Sequence, residues 1–204
     1  MELAMTNIDY MYPQIVYDTL LLTIYEECLN KTGRSFITVV SPWIREISFS
    51  SLSLGNGVKR VLANLSQEDL SSIVSILSCY LSLENTTLTI ATQNYMLTSP
   101  AIEKKDKGYN IEEIRLLRAL SLKGAHIYLH NDLHAKMVLT SVAAIVGSAN
   151  VTNLGMFGHT ENVCYFDVTD KTNYDSTIKK GNSIIKESKE VHSMKLLEIE
   201  KSLA

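Results

Sequence analysis

His134 and Lys136 stand one residue apart, with Ser148, Asn150 and then Glu161 further along the chain. These side-chain types suit the transfer of a phosphoryl group. A neutral imidazole can attack phosphorus and carry it as a covalent intermediate, with no metal and no cofactor required. A lysine beside it offers a point charge to phosphoryl oxygens, and Asn and Ser add neutral donors. An acid such as Glu161 can fix the imidazole tautomer through the second ring nitrogen. The expected catalytic set is therefore His134, Lys136, Asn150 and Glu161, with Lys136, Ser148 and Asn150 binding phosphate.

These groups meet only if the chain folds back on itself. From His134 the residues alternate with a period of two, so His134 and Lys136 share one strand face and Ala135, Met137 and Leu139 the other. Ser141-Val142 is the expected turn, and Ala143 to Val146 returns and opens into Gly147-Ser148-Ala149-Asn150. Pairing about that turn brings Ser148 and Asn150 back beside His134 and Lys136. The bland alternative makes Lys136 an edge guard and His134 a satisfied polar residue at a strand start. The return of Ser148 and Asn150 to the same end argues against it.

In this order the residues resemble the phospholipase D superfamily: His-x-Lys, then Gly-Ser-x-Asn, then a Glu, matched by His134, Lys136, Gly147, Ser148, Asn150 and Glu161. The family pattern has an Asp five residues after the Lys, where this chain has Ser141. The variant without Asp is most similar to the branch of metal-independent restriction endonucleases. The motif covers residues 134–161, and the order of elements around it agrees over most of the chain. The resemblance implies an α/β fold with a mixed, phospholipase D-like β-sheet flanked by helices on both faces. It also implies two copies of the motif per site, one His attacking phosphorus and the other protonating the leaving oxygen. With one copy per chain, the implied assembly is a homodimer. The expected activity is a phosphodiester hydrolase acting on nucleic acid, DNA foremost, in restriction or defence, with another defence subunit as a candidate partner. Two alternatives stand beside it: a lipid enzyme of the phospholipase D or phosphatidyltransferase type, and an inactive module that binds nucleic acid or recruits a partner. No basic amphipathic helix or lipid anchor supports the lipid enzyme.

Other constellations are weaker. His126, His130 and His134 recur every four residues, which on a helix would suit zinc, but Ile127-Tyr128-Leu129 favours a strand that keeps them apart. His130 is then a secondary contact near the cleft. His159 lies in a Gly-rich loop near Glu161 and is either substrate-facing or simply exposed. Asp132 is the nearest candidate to replace the missing motif Asp, but it precedes His134. Trp43, in Ser41-Pro42-Trp43-Ile44 after a strand, either packs at the strand end or stacks on a nucleobase.

The remaining elements must position this set. The 204 residues are 46% hydrophobic and 20% charged, which fits a single globular domain over 1–204 with an ample core. No apolar run is long enough to cross a membrane, and no signal peptide is expected. Cys28, Cys79 and Cys164 form no metal pattern and read as reduced core thiols of a cytoplasmic protein. The formal net charge of −3 leaves any nucleic-acid contact to local patches: Lys59-Arg60, Lys104 to Lys107, and Arg115 with Arg118. In chain order, the pattern predicts an N-terminal helix over 13–30 and a strand over Ser35 to Val40. A Ser-rich surface loop over 47–57 and an amphipathic helix over 67–83, boxed by Ser66 and Asp69, follow. Next come a strand over Thr86 to Thr92, an entry loop over 93–109, and a helix capped by Asn110 and Glu113 and closed by Gly124. A strand over Ala125 to Leu129 leads into the hairpin. After it come a short turn or helix over Thr152 to Phe157, whose amides add phosphate donors, and a strand from Glu161 to Val168. A charged C-terminal helix over about 173–203 ends the pattern.

Overall fold

The stretch from Tyr12 to Ile24 is apolar almost all round, which suits a helix enclosed on most sides. It lies in α1 (Met11–Asn30), with Pro13 in the first turn, where no amide donor is needed. The structure, a computed structural model, describes residues 11–30, 35–52, 70–94, 104–158 and 162–203. After α1 come β1 (Phe36–Val40), α2 (Ile73–Leu81), β2 (Thr87–Gln93), α3 (Lys104–Leu122) and β3 (His126–His130). A hairpin of β4 (Met137–Thr140) and β5 (Ala143–Gly147) leads through α4 (Asn153–Phe157) to β6 (Val163–Asp167). Then follow α5 (Lys171–Glu187), β7 (Lys189–Val191) and α6 (Ser193–Leu203).

The strands form one seven-stranded sheet in the order β6-β5-β4-β1-β2-β3-β7. β1, β2 and β3 run parallel, and every other neighbouring pair is antiparallel. Alternate strand residues feed two cores, so the mixed α/β sheet is covered on both faces. Ile37, Val39, Leu88, Ile90, Ile127 and Val138 join the helices α1, α2, α3 and α6 on one face. Val40, Ala91, Met137, Leu139 and Ala144 meet Ile178 and Ile184 of α5 on the other. Full burial of each large apolar side chain contributes about 1.5–3 kcal/mol, so the sheet is a rigid platform for whatever its edges carry. Among the described residues no helix is long and apolar enough to cross a membrane.

Several expected boundaries move, each for a physical reason. α2 begins at Ile73, not 67, because Ser72 and Ser75 make the reciprocal capping box; Ser66 and Asp69 lie outside the described residues. The Ser-rich segment is not simply a surface loop, since Ile47 and Phe49 are buried while Ser48, Ser50 and Ser51 face water. α3 starts at Lys104, inside the expected entry loop, so Asn110 and Glu113 stand within the helix rather than at its start. Its end is as expected: Gly124 has a φ of +105°, which only glycine adopts freely. The strand expected to open at Glu161 opens at Val163.

The expected C-terminal helix is broken. Ser188 turns extended, and β7 pairs with β3, giving that strand's open edge a backbone partner before α6 packs on α3. Of the three thiols only Cys79 is buried; Cys28 and Cys164 are exposed, the latter on the edge strand β6. Gly33, Gly55-Asn56-Gly57, Lys59-Arg60, Pro100, His159 and Glu161 lie outside the described residues, as do the side chains of 104–110.

Candidate active site

The parallel strands β1, β2 and β3 all end on one edge of the sheet. β5 ends there as well, because two antiparallel steps from β1 restore its direction, and β4 starts there. Loops at the carboxyl ends of parallel strands are where open α/β sheets hold ligands. His134 and Lys136 sit on this edge, in the irregular segment just ahead of β4 rather than in the strand itself.

That segment is tied down by the end of β2. Gln93 Nε2 donates to the Asn131 carbonyl at 2.7 Å, and Gln93 Oε1 accepts from the Leu133 amide at 2.8 Å. Asn94 adds a backbone bond to the His130 carbonyl and a side-chain bond to Asn131. Leu133 is buried, so His134 follows directly on a fixed point. On the other side, the Gly147 amide donates to the Lys136 carbonyl at 3.1 Å, which carries the β4–β5 ladder one pair beyond the strands. Met137 faces Val146, so counting on sets Ser148 opposite Ala135 and Ala149 opposite His134. The hairpin thus returns Ser148 and Asn150 to the end where His134 and Lys136 lie.

Side-chain detail differs from the simplest picture. His134 Nε2 lies 3.1 Å from Asp132 Oδ1, with both side chains 86% exposed, rather than turning across to Asn150. Lys136 Nζ donates to the His134 carbonyl at 2.7 Å. Ser148 Oγ accepts from the Asn162 amide, and its own amide donates to the Asn162 carbonyl, so it knits the hairpin to the start of β6. Asn150 Oδ1 is buried and has no hydrogen-bond partner among the described residues. The Asn150 backbone packs directly against Gly155 of α4, where a β-carbon would collide with its carbonyl oxygen. In α4 the Gly155 amide bonds Thr152 Oγ1 and the Met156 amide bonds the Thr152 carbonyl, so these two are not offered to phosphate.

Ser41-Pro42-Trp43-Ile44 is stitched to the same corner. Ile44 bridges Val151 in parallel, and the Val151 amide donates to Ser41 Oγ. Beneath it lies Glu113, buried, whose Oε1 accepts from the Ile44 amide at 2.8 Å and from Thr92 Oγ1 at 3.2 Å. Sequence reasoning gave Glu113 a capping role and missed this one. The signal was its position four residues before Leu117 and seven before Leu120, on the buried stripe of α3. Asp132, set aside in the sequence, is the described acid that reaches the His134 ring.

His126 leaves the site and pairs with Glu190 at 2.9 Å, whereas His130 ends β3 on this same edge, where its Nδ1 accepts the Asp132 amide to close the turn. The three histidines therefore do not converge, and among the described residues no group of three or more His, Cys, Asp or Glu can hold a metal. Arg115 and Arg118 pair with Glu200 of α6 instead of lining a groove to His134. Ser141, at the position of the missing motif Asp, lies at the far end of β4, where its amide bonds the Phe36 carbonyl. At about 3.3 Å per residue that end is roughly 16 Å from Lys136, so the departure removes no group from this corner.

No family model matches the sequence, and no curated protein matches it. The fold is similar to that of a phospholipase D family member. The crystal structure of Nuc from Salmonella typhimurium matches with a TM-score of 0.49 and 11% identity, covering 85% of this chain and 89% of that chain. The chemistry of the corner rests on the side chains themselves.

Proposed function

We propose that this chain is a metal-independent phosphodiesterase that cleaves nucleic acid, DNA foremost, through a phosphohistidine in a cytoplasmic homodimer. The observation that carries the reading is the bond from the Gly147 amide to the Lys136 carbonyl, which keeps the hairpin in register up to the His134 corner. A nitrogen of His134 attacks phosphorus, and the P–N bond forms as the P–O bond to the leaving group breaks. The partner's His134, protonated, gives its proton to the departing oxygen. Water then attacks phosphorus, the P–N bond breaks, and the water proton passes to the partner's imidazole, now neutral. Lys136 and Asn150 face the charge on five-coordinate phosphorus, Ser148 holds the corner, and Glu161 fixes the tautomer. A place in restriction or defence beside another subunit belongs to the same proposal.

The open position of His134 suits this reading, because a second copy must close over it. A second reading is favoured by Lys136 Nζ turning back to the His134 carbonyl and by Asp132 occupying the ring nitrogen: the corner then binds phosphate without cleaving it. One experiment separates them. The protein is incubated with DNA and with a chromogenic diester in the presence of EDTA, alongside His134→Ala. Cleavage should survive chelation and fall by ~10²-fold or more in the variant. Activity abolished by EDTA would sink the mechanism, and DNA binding without cleavage would establish the second reading.

A further inference from the structure

Trp43 is the one tryptophan of the chain, and the fold sets it beside the phosphate corner. The parallel bridge between Ile44 and Val151 puts Trp43 level with Asn150 on the adjacent extended segment. The Arg45 amide donates to the Val151 carbonyl at 2.9 Å, the Val151 amide to Ser41 Oγ at 3.1 Å, and Ser41 Oγ to the Trp43 carbonyl at 2.7 Å. Glu113 holds the Ile44 amide from below. The indole therefore stands on a segment clamped on two sides, half-buried against the core, with the Arg45 guanidinium 6.0 Å from its ring centroid.

We propose that Trp43 is a stacking platform for the nucleobase next to the phosphate held at His134, Lys136 and Asn150, so that the ligand is nucleic acid with unpaired bases. A rigid aromatic ring beside phosphate donors is the pairing that single strands require: charge for the backbone, a π-face for each base. The Arg45 guanidinium lies over the indole, so that face already receives one planar group and an incoming base takes its place there. Bases inside a duplex already cover their faces, so the platform selects single strands, frayed ends or flipped bases. The inference rests on the phosphate reading of the corner and does not depend on cleavage.

The test uses the fluorescence of Trp43 in the full-length chain carrying His134→Ala, which prevents turnover. Three probes are titrated: a single-stranded oligonucleotide, an abasic deoxyribose-phosphate oligomer of equal length and charge, and anionic phosphatidylglycerol vesicles. The oligonucleotide should quench the indole and bind roughly 5- to 150-fold more tightly than the abasic oligomer. Trp43→Leu should reduce oligonucleotide affinity to the abasic level, with Trp43→Phe between. Should the leucine variant not fold, the phenylalanine variant and the abasic comparison decide the matter. Equal affinity and quench for both oligomers, no binding of either, or preference for vesicles overturns the proposal. Hydrolysis of a chromogenic diester by the native chain is measured separately. If it persists while base-dependent quenching fails, the stacking inference alone falls; if it is absent while quenching holds, the catalytic reading alone falls.

Discussion

The two edges of the sheet offer contrasting invitations to a ligand. At the carboxyl ends of the parallel strands, His134, Lys136, Ser148 and Asn150 gather on an open corner, and the His134 side chain is 86% exposed. At the opposite edge lies a cleft of about 720 Å³, lined among others by Glu26, Glu27, Ser35, Ser141 and Asp167. By size alone the cleft would be the binding site. Its chemistry points the other way for a phosphodiester. Glu27 is buried there, and bonds from the Thr169 hydroxyl and amide hold the Asp167 carboxyl below its usual range, so it stays anionic. A phosphate entering the cleft would meet carboxylates, and one approaching the corner would meet an imidazole and an ammonium, with Asp132 the carboxylate it must displace from the ring nitrogen. Charge and donor type separate the edges where volume misleads. An open corner is also what a polymer and a second copy of the chain both need.

The largest expected effect breaks or upholds this contrast directly. His134→Ala should lower diester turnover by ~10²–10⁴-fold, whereas Glu27→Gln in the cleft should leave turnover unchanged. Both are read with one chromogenic diester and with circular dichroism to confirm folding. Comparable losses in the two variants would erase the distinction between the edges.

Next in size is Gly155→Ala. The new β-carbon would run into the Asn150 backbone, and relief by displacement should cost roughly 1–3 kcal/mol of stability. Because the group displaced is Asn150, turnover should fall further than the loss of folded protein accounts for. A lower melting temperature with turnover per folded molecule intact would remove Asn150 from the corner. Glu113→Ala probes the support beneath. It leaves the Ile44 amide without its acceptor, while the Thr92 hydroxyl keeps the Pro42 carbonyl, at a cost of about 1–3 kcal/mol in chemical denaturation. Glu113→Gln keeps an acceptor oxygen and should recover most of that loss. Equal destabilisation by the two variants would mean that the charge, not the acceptor, holds the segment.

The same contrast explains what the sequence made legible. The hairpin could be read because two short apolar runs, β4 and β5, flank a short turn, so register follows from counting. The gathering of His134, Lys136, Ser148 and Asn150 came with it. Elements that depend on competition between near-equivalent residues could not be read. A chain with serines at 66, 71, 72 and 75 offers several caps for α2, and tertiary contacts choose Ser72, whose neighbour Ile73 bonds Ile47. The break at Ser188 rests on a three-residue strand, too short to show alternation against a helical background, and on an open edge that only the sheet order reveals. Glu113 was hidden by a plausible local role, and Asp132 by a contact across a turn that no residue spacing announces. Glu161 was legible as a candidate, yet it lies outside the described residues.

The smallest effect is a pH dependence confined to the cleft edge. Tyr80 is fully buried, its hydroxyl donating to Ser35 Oγ at 2.9 Å where β1 begins. Burial pushes the phenol up to about 12 from an ordinary value of 10.0, with the Ser35 bond opposing the rise. The folded state thus favours the neutral phenol. Its contribution is complete below the unfolded value, about pH 10, and is lost as pH rises from there through about 12. Thermal melts between pH 8 and pH 12 should show this decline on top of the general alkaline loss. Tyr80→Phe should flatten it, while costing about 0.5–1.5 kcal/mol near neutrality for the lost hydrogen bond. Diester turnover at pH 8 should be unaffected, because the phenol sits at the far ends of the strands from His134. An altered turnover would mean that the two edges are coupled through the sheet, and the open corner could not then be treated as a site independent of the cleft.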